Sequence, residues 1–158
     1  MVQFCSIRRL LLRFAQVGNR RRVLIAEAVL RLLVARLALA FLSFPRLARR
    51  FGTLVPPSDH RTSKVSAGAN SDQIWIAKEV SWAVTRAARY VPFKAVCLPQ
   101  AMAAHAMLGR RGVASVMHFG AAKGITKPLD AHAWLEAAGV EVTGYPVEKR
   151  LAEIACFI

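Results

Sequence analysis

The sequence predicts an α+β protein in which helices pack on a small antiparallel sheet, preceded by a basic helical N-terminal region. Three observations carry that expectation. Apolar residues recur at helical spacing through the first third of the chain and again between Gln73 and Leu108. After Gly112 the pattern changes to period two, over residues 113–119, 129–136 and 140–143. At 158 residues and 55% hydrophobic, the chain is too apolar to be disordered and long enough for one compact domain with a helical extension.

Taken in order, residues 8–51 read as helix. Leu10, Leu11, Phe14 and Val17 lie beside Arg8, Arg9 and Arg13, and Gly18-Asn19 breaks the run. The pattern resumes at Arg20 and stops near Ser43-Phe44-Pro45, because proline disfavours helical geometry in the residue before it. Residues 23–44 have the length of a membrane span, but Glu27, Arg31 and Arg36 sit inside it. Each charge costs roughly 2.5–3.5 kcal/mol at a bilayer centre, which favours a helix buried against protein. The stretch 52–72, rich in Pro, Ser, Gly and Asn, reads as a linker or surface loop. Ser71 or Asp72 can cap a helix over residues 73–89, with Trp75 and Trp82 giving core volume. A small-residue helix over 101–108 ends at Gly109-Arg110-Arg111-Gly112. Pro99 is tolerated in a first helical turn, so Cys97 belongs at or just before that helix N-terminus. Residues 137–139 then make a tight connection between the last two predicted strands. The expected organisation is a basic helical region over 1–51, a linker over 52–72 and a core over 73–158.

Charge is distributed unevenly. Of 23 Lys and Arg against 9 Asp and Glu, residues 1–64 hold 13 basic side chains and only Glu27 and Asp59 as acids. Such asymmetry suggests an anionic partner for the N-terminal part: an acidic protein face, a membrane surface or a nucleic acid. Nucleic acid fits poorly, because these arginines are interleaved with aliphatic residues and lack stacking aromatics. Cys5, Cys97 and Cys156 are too few and too scattered for a disulfide framework or a Cys-x-x-Cys pair, which points to a reduced, cytoplasmic setting.

Cys97 and His132 are the candidate chemical groups. A thiol attacks as the thiolate, and a helix N-terminus or a nearby imidazolium favours that form. On the strand over 129–136, Leu129, Ala131, Ala133 and Leu135 form one apolar face, while Asp130, His132, Trp134 and Glu136 form the other. The bland readings are an inert cysteine on an alanine helix and a solvated strand face. His105 and His118 read as packing or rim residues. A zinc site drawn from Cys97, His105, His118 and His132 lacks the short-spaced ligand pairs that such sites usually show. Arg110-Arg111 fits either a contact with an acidic peptide or a solvated helix end.

The run CLPQAMAAHAMLGRRGVASVMHFGAAK, followed by AHAWLEAAGVEVTGYPVEKRLAEIACFI, resembles the transglutaminase-like leader peptidases of bacterial lasso-peptide biosynthesis. The shared marks are C-L-x-[QR]-A opening a helix, L-x-R-R-G closing it, an A-H-A-W-[VL]-E strand and a preceding A-A-R-Y-V-P. The resemblance implies a transglutaminase-like, papain-like core and a cysteine protease that removes the leader from a ribosomally made precursor peptide. It makes Cys97 the nucleophile and His132 the general base and acid, and requires no metal or organic cofactor. The N-terminal half lacks the strand-rich winged-helix pattern of the family's leader-recognition domain. A separate leader-recognition protein is therefore expected, with an ATP-dependent cyclase as a further partner. The basic helices would dock one of these or an anionic inner-membrane surface.

One position departs from the family. An acid usually stands twelve residues beyond the histidine, and here that residue is Gly144. A three-residue connection would put Gly144 directly opposite His132. Of three groups that could replace the acid, Asp130 on the histidine's own face is the expected third catalytic residue; the others are Thr143 in a shifted register and a backbone carbonyl near Gly144. The missing acid also suits a non-catalytic binding or scaffold protein; a peptide amide transferase is a second alternative, since the same acyl-thioester serves both reactions.

Overall fold

The computed structural model describes residues 18–124 and 128–158, so Cys5 and the helix expected before Val17 lie outside the described residues. Helix α1 (Asn19–Phe41) turns Ile25, Ala28, Leu32 and Ala35 inward, a spacing that keeps one face on the core. It stops at Leu42, and Pro45 falls in the first turn of the short helix α2 (Phe44–Ala48), where its missing N–H is no loss. No helix among the described residues is long and apolar enough to cross a membrane.

Residues 52–72 are more ordered than a linker. They hold the two-residue strand β1 (Leu54–Val55) and helix α3 (His60–Ala67). Asp59 caps α3 by accepting from the Arg61 N–H, and the Arg61 guanidinium holds its carboxyl down to about 2. The polar sequence of this helix hid it; among its described side chains Val65 packs on an apolar cluster. Helix α4 (Ser71–Ala88) is capped one residue earlier than expected: the Asn70 side chain accepts from the Gln73 N–H, and the Gln73 side chain accepts from the Asn70 N–H. Helix α5 (Cys97–Gly109) follows, burying Ala101, Ala103, Ala104, Met107 and Leu108.

Strands β2 (Val116–Lys123), β3 (Leu129–Ala137), β4 (Val140–Thr143) and β5 (Ala152–Phe157) join β1 in a five-stranded sheet of order β1-β5-β2-β3-β4, antiparallel at each pairing. Strand β2 starts three residues later than expected and runs past Gly120. Strand β5 was not foreseen from its short, mixed sequence. Helices α1, α4 and α5 pack with Met117, Leu135, Ala137, Val142 and Phe157 of the sheet in one main core. The α+β expectation therefore holds, with helices on a small antiparallel sheet. A smaller cluster of Val55, Val116 and Cys156, with Val65 from α3 against it, lies apart from that core.

Part of the N-terminal charge is answered inside the molecule. Arg21 pairs with Glu79 of α4 at 2.8 Å and lies over the Trp82 ring, while Arg20 covers Trp75. Trp75 is thus not a core residue; it stays 44% exposed beneath a guanidinium. Glu27 receives both Arg110 and Arg111, at 3.1 and 2.6 Å, which ties the end of α5 to α1. The double arginine is therefore occupied by an internal acid rather than simply solvated.

These contacts hold the Glu27 carboxyl below its ordinary range, chiefly through its hydrogen bond with Arg111 and against the opposing effect of burial. Glu27→Gln should cost about 1 kcal/mol at neutral pH, since charged hydrogen bonds are lost but solvent screens part of the site. The depressed folded-state pKa places this stabilisation above the unfolded glutamate pKa. The gap between wild type and variant should close as pH falls through the folded value, as urea melts at a series of pH values would read.

Candidate active site

Cys97 is the first residue of α5, as the proline spacing suggested, and is half-buried. Val96 offers no side-chain cap there. The first amides of a helix have no intrahelical acceptor, so those of Cys97 and Leu98 point at the space beyond the helix tip. The Gln100 side-chain amide donates to the Ala95 carbonyl at 2.7 Å, bracing the loop that delivers Cys97. That bond assigns Gln100 a positioning contact rather than the oxyanion contact one could imagine for it.

His132 lies on β3 across from Gly120, and its ring stacks with Trp134 at a centroid distance of 6.0 Å. Its Nε2 is 2.6 Å from the Gly144 carbonyl oxygen. A carbonyl only accepts, so Nε2 carries the proton and donates. In the neutral ring this leaves the lone pair on Nδ1, the nitrogen then able to take a proton from a thiol. The backbone carbonyl thus occupies the ring nitrogen that an acid would hold.

The route to that contact differs from the one expected. Ala137 pairs with Val140, so the β3–β4 turn has two residues, Ala138 and Gly139, both with positive φ. A register shift follows, and Leu135 pairs with Thr143. Gly144 therefore sits against Trp134 rather than opposite His132: a Cβ on it would lie 2.8 Å from the Trp134 Cα and 2.5 Å from the Ala133 oxygen. Its φ of +84° is also one that side chains resist. Position 144 is shaped to present a carbonyl and has no room for a carboxylate. Thr143 is buried, with its hydroxyl unpaired.

Asp130 shares the His132 row, but its carboxylate pairs with Arg150 at 2.8 Å. Together Asp130, His132, Pro146, Glu148 and Arg150 line a cavity of about 280 Å³. Helix α5 packs against β3 and β4, yet no hydrogen bond joins the Cys97 thiol to His132 among the described residues. On β3, Leu135 and Ala137 face the helix-lined core; His132 belongs to the alternate row. His105 accepts or donates at Ser115 Oγ, 2.9 Å away, and burial lowers its pKa, as befits a packing residue. The four residues of the conceivable zinc set have separate partners or positions. The sequence signal missed at this site was the Ala138-Gly139 pair, a two-residue turn that resets the register of everything after it.

Gly144→Ala should destabilise the fold by about 1–3 kcal/mol, the range for a side chain forced to positive φ. Gly144→Asp, which restores the family's acid in sequence, should lower thermal stability and leave any Cys97-dependent activity no higher than wild type. A gain in activity would show that the strand can reopen to seat a carboxylate.

Comparison with characterised proteins adds one finding. The family model described as Transglutaminase-like superfamily matches residues 38–156. No curated protein and no solved structure matches the chain. The matched span takes in α5 with Cys97, β3 with His132 and the β4 end at Gly144. The chain belongs to the transglutaminase-like superfamily.

Proposed function

We propose that this protein is a cysteine peptidase that removes the leader from a ribosomally synthesised lasso-peptide precursor. The observation that carries the reading is the His132–Gly144 bond, which fixes the ring with its proton on Nε2 and its lone pair on Nδ1. Nδ1 takes the Cys97 proton, and the thiolate adds to the scissile carbonyl carbon. The amides of Cys97 and Leu98 receive the developing oxyanion. The tetrahedral adduct collapses as Nδ1–H protonates the leaving amine, which frees the core peptide's N-terminus. Water, giving its proton to Nδ1, attacks the thioester, releases the leader carboxylate and restores the thiol. Cys97 stands at the tip of α5, which packs on the sheet, and His132 on the alternate row of β3, so this reading requires precursor binding to bring the two together.

Leader recognition falls to a separate protein. Residues 18–51 form helices with no strand among them, unlike a winged-helix reader. Helix α1 turns Val23, Leu30, Val34, Leu37 and Phe41 outward, the last 80% exposed. This apolar row opposite the buried face supports docking of that recognition protein or of the ATP-dependent cyclase.

A binding or scaffold role is the second reading, favoured by the lack of a Cys97–His132 hydrogen bond among the described residues. Amide transfer is the third, since an amine could replace water at the thioester. Incubating the full chain with a candidate precursor and its recognition protein, then weighing the products, separates the three. Hydrolysis yields leader acid plus core, transfer yields a leader amide, and a scaffold yields neither. Cys97→Ala and His132→Ala should each lower cleavage at least about a hundredfold, the scale of general-base and nucleophile loss. Asp130→Ala, whose carboxylate is held by Arg150, should change it less than about threefold. A larger loss would return Asp130 to the site.

A further inference from the structure

A second cluster of chemically active groups lies on β2 and β5, outside the peptidase site. His118 and Cys156 face each other in the strand register, and Glu153 is three residues before Cys156. Cys156 Sγ is 3.5 Å from His118 Nδ1 and donates to Glu153 Oε1 at 2.9 Å. Glu153 Oε1 also contacts His118 Nδ1. All three ligand atoms lie within 4.8 Å of one another. Trp134 stacks flat on the His118 ring at 5.4 Å and covers it.

This is not a second catalytic triad. In a triad, one imidazole nitrogen meets the thiol and the other meets the acid. Here both groups converge on Nδ1, while Nε2 is buried without a hydrogen-bond partner. The polar stabilisation of the buried ring must therefore come through Nδ1. Cys156 is fully buried, which removes it from any attack on a peptide.

We propose that His118 Nδ1, Cys156 Sγ and a Glu153 carboxylate oxygen form a three-ligand site for a borderline-soft divalent cation, zinc by the chemistry of its donors. Tetrahedral zinc with bonds of about 2.3 Å to sulfur and 2.0–2.1 Å to nitrogen sets those two atoms about 3.5 Å apart. The buried pair already has that separation. Glu153, whose side chain is 31% exposed, is the arm with freedom to swing outward and open the two shorter edges. Binding releases the Cys156 proton to solvent, shifts the ring proton from Nδ1, where it faces the Glu153 carboxylate, to Nε2, and forms the Zn–S, Zn–N and Zn–O bonds. Thiolate and carboxylate then balance the metal's two charges, so no net charge is buried. Because the bound sulfur must be a thiolate, zinc affinity should rise with pH. The ion would staple β5 to β2 and leave its fourth position toward the exposed side of Glu153.

Cobalt(II) titration of the full-length chain tests this independently of peptidase activity, with the thiolate-to-cobalt charge-transfer band as readout. One equivalent should give the band. It should persist in Cys97→Ser, disappear in Cys156→Ser and need at least tenfold more cobalt in Glu153→Gln. Added zinc should displace the cobalt and raise the melting temperature of wild type more than that of Glu153→Gln. The substitution at the exposed Glu153 arm keeps the test decisive even where Cys156→Ser fails to fold. Absence of the band in wild type, its survival in Cys156→Ser, or equal affinity in Glu153→Gln would overturn the site and leave a proton-bridged His118–Glu153 pair with a hydrogen-bonded thiol.

Discussion

The hydrogen bond from His132 Nε2 to the Gly144 carbonyl rests on a chain of backbone constraints. Two residues at positive φ, Ala138 and Gly139, close β3 onto β4 with the shortest common loop. The resulting register carries Gly144 onto the Trp134 backbone, where only a residue without Cβ fits. At its own positive φ, Gly144 presents an oxygen to the ring 2.6 Å away. A backbone acceptor cannot ionise, so it fixes the tautomer and orientation of the imidazole without adding the negative charge that an acid would bring to a forming imidazolium. The imidazole is thus oriented but less strongly supported electrostatically than in a full triad.

The second constraint is the attachment of the basic helix. Arg20 and Arg21 on the α4 tryptophans and Glu79, and Glu27 beneath the two arginines ending α5, turn charges that look like a partner's footprint into internal fastenings. They accompany an apolar face, Ile25 to Ala35, that is itself buried. Through Glu27 the same helix that presents an outward apolar row is tied to the helix carrying Cys97. The outward row of α1 is therefore linked to the helix that carries Cys97, though at its opposite end.

What could be read from sequence follows from how local the signal was. Helix α5 and the place of Cys97 were legible because Pro99 and the Gly109–Gly112 stop are local marks. Strand β3 was legible because Ala133 and Leu135 alternate cleanly with His132 and Trp134. Strand β5 was not, since Glu153 and Ala155 interrupt any simple alternation and its partner β2 is more than thirty residues away. Helix α3 was obscured by its polar composition. The sequence favours Asp130 as the third partner of His132; finding the Gly144 carbonyl there instead required knowing the turn length, because a one-residue change there reverses which side chains share a face. The Cys156–His118–Glu153 cluster had no sequence spacing to reveal it, being assembled by strand pairing alone.

The central claim is that His132 acts on Cys97. The most direct measurement is the rate at which a small neutral alkylating reagent modifies Cys97 at neutral pH, followed by peptide mass in wild type and His132→Ala, with free glutathione as the reference thiol. A working pair predicts reaction at least about tenfold faster than glutathione in wild type, with that advantage gone in His132→Ala. Equal, slow modification in both proteins, or fast modification that survives the loss of His132, would contradict the account.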